Sequence, residues 1–166
     1  MKNLKSILII SAVLLFTVCW TAQAQTNEKK EENPMKEVCE FLKHCGVYYI
    51  ATVESDQPRV RPFGTSAIFE NRLYIQTGKR KNVAKQMQLN PKIEICAYDI
   101  ASGAWLRIAA TVVPDERREA KVFMLEEYPT LKSMYSPDDD NTLVLYLMDA
   151  TATFYSFAGE PREVKF

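Results

Sequence analysis

The spacing of apolar positions changes several times along the chain, and each change marks an element. Residues 35–44 place Met35, Val38, Cys39, Phe41 and Leu42 on one helical face, and Gly46 punctuates the end. Val47 to Val53 is β-branched and aromatic, the composition of a strand. Ser55-Asp56-Gln57-Pro58 is a turn. Arg59 to Phe69 is a second strand that Pro62 interrupts, so it is expected to be an edge, a bulge or a bend. Glu70-Asn71 turns into a third strand, Arg72 to Thr77. A helix is predicted over about 80–89, with Val83 and Met87 on one face and Lys81 and Lys85 on another. Asn90-Pro91 stops it.

The second half of the chain continues in the same way. Lys92 to Tyr98 alternates, with Ile93, Ile95 and Ala97 on one side. Residues 104–113 carry Trp105, Arg107, Ala109 and Thr111 on one face and Leu106, Ile108 and Ala110 on the other. A second helix is expected over 115–127, with Asp115 as N-cap and Ala120, Phe123 and Met124 inside. Residues 129–140 connect through one short helical turn. Thr142 to Phe157 is long, apolar and aromatic, fitting one bent strand or two joined near Asp149-Ala150, and Gly159-Glu-Pro ends it. Six or so strands with tight turns, two main helices and no regular βαβ alternation predict a mainly β domain. The expected form is an antiparallel barrel with helices over its openings.

The N-terminal end changes the picture of the whole. Lys2 and Lys5 form a positive region, Ile7 to Val18 is a 12-residue apolar stretch, and Ala22-Gln23-Ala24 supplies small residues. This is the pattern of a signal peptide over 1–24, with cleavage after Ala24 and a periplasmic destination; the alternative is an uncleaved anchor. Phe16-Thr17-Val18 lacks the small residue a lipoprotein would need before Cys19. No twin-arginine pair is present, so export is expected in the unfolded state. Residues 25–34 hold no apolar side chain and form a flexible tether, which leaves 35–166 as one domain.

Cleavage removes Lys2 and Lys5 and no acid. The 21 basic and 21 acidic residues then become 19 and 21, a net charge of −2. That argues against a nucleic-acid or anionic-membrane binder, so no nucleic acid and no membrane beyond the export signal are expected as partners. Cys39, Cys45 and Cys96 remain. Cys39 and Cys45 can pair in an oxidising compartment; the alternative is small buried hydrophobes. Their spacing is not that of a zinc site, and no metal is expected.

Two motifs carry candidate chemistry. In the first, Thr77-Gly78-Lys79-Arg80-Lys81-Asn82-Val83-Ala84-Lys85, four cations fall in the first turns of the predicted helix. The macrodipole disfavours cations there by a few tenths to about 1 kcal/mol each, and a bound anion reverses the sign. A wet lysine-rich surface is the alternative. In the second, Arg59, Arg61 and Phe63 project to one face of a strand around Pro62. Two guanidiniums and a ring suit a planar anion, whereas a solvated face would pair the arginines with acids. His44 is the sole histidine and sits where a helix C-cap cation belongs, so catalytic residues stay unassigned. Asp138-Asp139-Asp140 lacks a calcium-loop pattern and is expected to be a solvated loop. Trp105 is expected to pack, with a ligand-side role as the alternative.

The order of these segments resembles the pyridoxamine 5'-phosphate oxidase-like, FMN-binding split-barrel family, and within it the short members. The resemblance runs from the helix at 35–44 through Gln57-Pro-Arg-Val-Arg-Pro-Phe-Gly64, Tyr74-Ile-Gln-Thr77, the basic segment, Asn90-Pro-Lys-Ile-Glu-Ile95 and Trp105-Leu-Arg107 to Ala152–Pro161. It implies a six-stranded antiparallel split β-barrel flanked by two to four helices, and a homodimer with FMN at the subunit interface. It lays Arg61-Pro62-Phe63 along the flavin, places Gln76 and Thr77 near the ring or ribityl chain, and assigns Lys79 and Lys81, with Arg80 and Lys85 beside them, to the phosphate. The vitamin-pathway oxidase has a C-terminal extension for its pyridoxal-type substrate that this chain lacks, so a different substrate is expected. The resulting expectation is an exported FMN-dependent oxidoreductase acting on a small acceptor. The alternative is a non-catalytic carrier or sensor for FMN, haem or another planar anion.

Overall fold

The computed structural model describes residues 33–166. The signal segment 1–24 and all but the last two residues of the tether lie outside the described residues. Helix α1 (Pro34–Cys45) starts one residue earlier than expected, because Asn33 Oδ1 accepts from Met35 N at 3.1 Å and Pro34 suits the first helical position. Gly46, at φ +71°, ends it and returns its N–H to Leu42 and Lys43. Strands β1 (Tyr48–Glu54) and β2 (Gln57–Phe63) form a hairpin, and β3 (Ala67–Phe69) and β4 (Arg72–Gly78) form another. The expected strand 59–69 is thus two strands, broken at Gly64–Ser66. Pro62 lies on an edge strand, where no outer ladder needs its missing N–H.

Helix α2 (Asn82–Leu89) is followed by β5 (Lys92–Tyr98), β6 (Trp105–Asp115), α3 (Arg118–Glu127), a 3₁₀ turn (Pro129–Ser133), β7 (Thr142–Tyr155) and β8 (Arg162–Lys165). Strand β7 is the single bent strand among the two forms considered. Asp149, at φ +52°, marks the bend, opposite a register shift between Ala109 and Thr111. Two more helix starts differ from expectation. Helix α2 begins at Asn82, so Lys79 and Arg80 precede it and Lys81 occupies the N-cap position. Helix α3 begins at Arg118, and Asp115 is not its N-cap.

The strands form one antiparallel sheet of eight in the order β2-β1-β5-β6-β7-β4-β3, with β8 beside the second half of β7. Strands β2 and β3 stand at opposite ends of this path, yet only Gly64–Ser66 separates them in sequence. Laid flat, six strand spacings would put them about 29 Å apart, whereas four Cα steps reach at most about 14 Å. The sheet must therefore curl until its ends nearly meet, which makes a barrel with an unpaired seam. Six long strands build it, matching the split barrel expected; β3 and β8 are short additions.

The curl encloses the core. Ile50, Leu73, Ile75, Ile95, Leu106, Ile108 and Leu145 fill the interior, closed by Val38 and Leu42 of α1 and by Val83 and Met87 of α2. Alternate residues of β4 and β7, such as Tyr74 and Val144, face outward beneath α3 and pack on Ala120 and Met124. Among the described residues no helix is long and apolar enough to cross a membrane.

The Asp115 carboxylate explains why α3 starts late. It is buried and accepts from Tyr74 Oη at 2.8 Å and from the Arg117 guanidinium at 2.8 Å, so it joins β4 to the end of β6. Arg117 also pairs with Glu70 at 2.9 Å, and Glu70 sits at φ +45° in the tight β3–β4 turn. Arg117, against the opposing effect of burial, and Tyr74 hold the Asp115 carboxyl down to about 2. Its folded-state pKa lies below its unfolded one. The resulting stabilisation is therefore complete above about pH 4 and lost as pH falls toward 2. Asp115→Asn is expected to cost about 2 kcal/mol at neutral pH. Wild-type and variant thermal midpoints should converge near pH 2; a gap that persists at that pH would show a packing effect instead.

Candidate functional site

The three-residue strap between β2 and β3 is held from three sides. Tyr48 Oη donates to Thr65 O at 2.6 Å. Tyr128 Oη donates to Ser66 O and accepts from Ser66 N, both at 2.8 Å. Thr65 Oγ1 accepts from Gln76 N at 3.0 Å, so a side chain replaces a ladder bond across the seam. Gly64 fits because a Cβ there would stand 3.2 Å from Gly46 O.

Beside this strap the seam opens into a cleft of about 200 Å³. One wall is Arg61, Pro62 and Phe63 of β2, and the floor is Gln76 and Thr77 of β4. Lys81 and Val83 close one end at the start of α2, and Leu131, Met134 and Tyr135 form the facing wall. Six of the ten expected site residues therefore share one cleft: Arg61, Pro62, Phe63, Gln76, Thr77 and Lys81. The other four do not. Arg59 pairs with Glu54 at 2.7 Å on the exposed end of β2. Lys79 pairs with Glu116 at 2.7 Å and lines a separate groove with Met87 and Gln88. Arg80 pairs with Asp140 at 2.8 Å in solvent, and Lys85 is exposed on α2. A cation goes to the nearest acid on the surface, and no local sequence pattern reports which acids the fold brings near.

Arg61 is held differently. Its guanidinium donates to Thr52 Oγ1 at 2.6 Å, Gln86 Oε1 at 2.5 Å and Arg59 O at 3.2 Å, all neutral acceptors. Burial and the neighbouring Arg59 lower its pKa, yet arginine stays charged. Its charge is thus fixed in place without a carboxylate in contact among the described residues. Gln86 and Thr52 do this positioning and have no motif that would have singled them out.

Gln76 is the most telling group. Its side chain is 5% exposed, and neither Nε2 nor Oε1 has a hydrogen-bond partner among the described residues. Leaving such an amide unpaired costs about 1–3 kcal/mol for each group. At the other end, α2 has no side-chain cap and no acid in its first turn. Lys81 Nζ lies 6.0 Å from the Tyr135 ring centroid and forms no ion pair among the described residues. The turn that aims it is tied to Asn141, whose carbonyl accepts from Lys79 N at 2.7 Å and whose Oδ1 accepts from Arg80 N at 3.1 Å. The cleft thus has a buried, unpartnered amide in its lining, apolar walls and a cationic end.

The remaining expectations fall outside it. Trp105 stacks on Tyr155 with centroids 5.1 Å apart and packs near Phe157 on the outer sheet face, while Arg107 pairs with Glu94. His44, on the exposed end of α1, lies 3.5 Å from Asp99. Cys39, Cys45 and Cys96 are unpaired; Cys39 is buried against Ser66. Asp139 is not merely solvated. Burial would raise its pKa, but the N–H groups of Thr142, Ser136 and Asn141 hold it at about 2 and fix the loop before β7.

A family model described as pyridoxamine 5'-phosphate oxidase matches residues 34–156. A NimC/NimA family protein from Clostridium acetobutylicum is 47% identical, with a TM-score of 0.77 over 80% of this chain and 92% of that one. Two more distant structures share the fold. A pyridoxamine 5'-phosphate oxidase-related, FMN binding protein from Nostoc punctiforme is 19% identical, with a TM-score of 0.53 over 80% of this chain and 93% of that one. A heme binding protein from Mycobacterium smegmatis is 13% identical, with a TM-score of 0.63 over 79% and 57%. No curated protein matches the chain.

The orphaned amide makes a stability prediction that needs no ligand. Gln76→Leu is expected to raise the thermal midpoint of the ligand-free protein, by the equivalent of about 1–3 kcal/mol. A lower midpoint in calorimetry would show that the amide is satisfied in solution.

Proposed function

The chain belongs to the pyridoxamine 5'-phosphate oxidase family, and from that premise we propose that it is an exported FMN-binding protein acting as an oxidoreductase on a small acceptor. The unpaired Gln76 amide carries the reading. A flavin ring edge presents adjacent donors and acceptors, which is what both orphaned atoms of Gln76 require. Phe63, Pro62, Leu131 and Met134 offer apolar contact to a planar ring. Lys81 and the uncapped start of α2 suit a phosphate. The residues present therefore fit FMN, and the relative described as FMN binding supports the choice. FMN, when bound, supplies hydride and one-electron transfer. The chain's own residues bind and orient: Arg61 keeps a fixed positive charge beside the wall, and Gln76 sets the ring edge.

A cleft of about 200 Å³ is smaller than the roughly 300–1,000 Å³ of enclosed small-molecule sites, so its open side needs a cover. The outer face of β1, β2 and β5 exposes Tyr49, Val53, Val60 and Tyr98. Apolar surface of this kind, next to the β2 wall, supports a homodimer in which a second copy closes the site.

A carrier or sensor role is the second reading, and one observation favours it: among the described residues the lining holds no carboxylate, histidine or cysteine to move a proton. Flavin is the ligand proposed in either case, because the Gln76 amide and the cationic end suit its ring edge and phosphate. Absorbance of protein purified from its own compartment, and uptake of added FMN, test the ligand. Bleaching on reduction followed by recovery with an acceptor separates enzyme from carrier. Failure to take up FMN would sink both.

Lys81→Ala is expected to weaken FMN binding by about tenfold or more and to leave the ligand-free thermal midpoint unchanged or slightly raised. A lowered midpoint with unchanged affinity would make Lys81 structural. Val60→Glu should convert a dimer to a monomer in analytical ultracentrifugation and reduce FMN affinity with it. A dimer that survives the substitution would place the interface elsewhere.

A further inference from the structure

Tyr135 takes no part in the reading above, and its surroundings are unusual. Its side chain is 9% exposed and lines the cleft. Its ring lies beneath Lys81 Nζ. Its hydroxyl makes no hydrogen bond among the described residues. It stands over the turn that leads into α2: a Cβ on Gly78 would lie 3.1 Å from Tyr135 Oη. The Asn141 amide stands equally close, at 3.1 Å, so a side chain at Gly78 would have to push one of these groups aside, and the hydroxyl sits close against the β4–α2 turn.

The position is also rigid. Tyr135 N donates to Leu131 O at 3.0 Å, an α-type bond that closes the end of the 3₁₀ turn. The next residue, Ser136, is fixed through both backbone groups: its N–H donates to Asp139 Oδ2 at 2.8 Å and its carbonyl accepts from Thr142 Oγ1 at 2.8 Å. A phenol held this firmly, in a nearly buried residue whose hydroxyl has no protein partner among the described residues and is not sealed from solvent, is free to donate to a ligand.

Resting on the flavin reading, we propose that Tyr135 donates its hydroxyl proton as a hydrogen bond to the phosphomonoester of the bound ligand. It completes an anion cradle with Lys81 and the start of α2. The cradle then combines a mobile cation, backbone N–H groups and a neutral directional donor on a fixed arm. Such a donor discriminates a phosphorylated ligand from its dephosphorylated form, because riboflavin leaves it unused.

Tyr135→Phe tests this with FMN and riboflavin titrated against the full chain. The expected result is an FMN affinity lowered by about tenfold or more, with riboflavin affinity unchanged. The ligand-free thermal midpoint should not move, since no protein partner is lost. Equal losses for both flavins, or no loss for FMN, would overturn the assignment. If wild type takes up neither flavin, the flavin reading falls, and inorganic phosphate decides the role of Tyr135. Phosphate that raises the wild-type midpoint but not that of Tyr135→Phe upholds it; the same response from both proteins overturns it.

Discussion

The rest of the structure depends on the shortness of Gly64–Ser66. Three residues join strands that the pairing order puts at opposite ends of the sheet, and a chain that short cannot cross a flat one. Curling the sheet gathers the apolar faces of β1, β4, β5, β6 and β7 around one interior and leaves two openings, which α1 and α2 cover. It also leaves a seam that no ladder closes. A seam is a liability, since backbone groups there lack strand partners. Thr65, Tyr48 and Tyr128 meet part of that need with side-chain hydrogen bonds. The part they leave open is the cleft. The site is thus a consequence of how the barrel fails to close.

Electrostatics then sorts the cations around that opening. The run at 79–81 has three, and acids brought near by folding claim two of them: Glu116 takes Lys79 and Asp140 takes Arg80. Exposed pairs of this kind contribute little stability, but they decide direction. With its neighbours turned outward, Lys81 is the cation left at the cleft. Arg61 reaches the same end state by another route, clamped by neutral oxygens between β1 and α2.

Much of this was legible in local pattern. Strand alternation, the Gly46 and Asn90-Pro91 stops, and the bend near Asp149 all depend on neighbours in sequence, and the elements follow them. Pro62 announced an edge, a bulge or a bend, and the sheet has the first of these. The misread features share a different character. Asp115 had the sequence signature of an N-cap, but Tyr74, from across the fold, and Arg117, two residues on, claim its oxygens. The cleft's third wall, residues 131–135, and the clamp of Thr52 and Gln86 on Arg61 are made by distant segments with no motif of their own. Strand β8 is four residues long and mostly charged or polar, so its pairing with β7 left no periodic trace. The expectation of an anion site rested on the helix dipole, yet three of the four cations lie outside the helix.

Gln76 shows how these constraints meet in one residue. It lies on β4, where alternate side chains point into the barrel or out beneath α3, and its backbone is already committed: Thr65 accepts from its N–H, and β7 lies on its other side. The residue lines the space that the seam opens, with Arg61, Lys81 and Tyr135, and its amide is buried there without a partner among the described residues. An apolar side chain there would satisfy the fold at least as well. The fold gives no reason for an amide with two unmet hydrogen bonds; a ligand that meets both does. By the same physics that makes an orphaned polar group costly, a ligand that satisfied this amide would stabilise the fold as it bound.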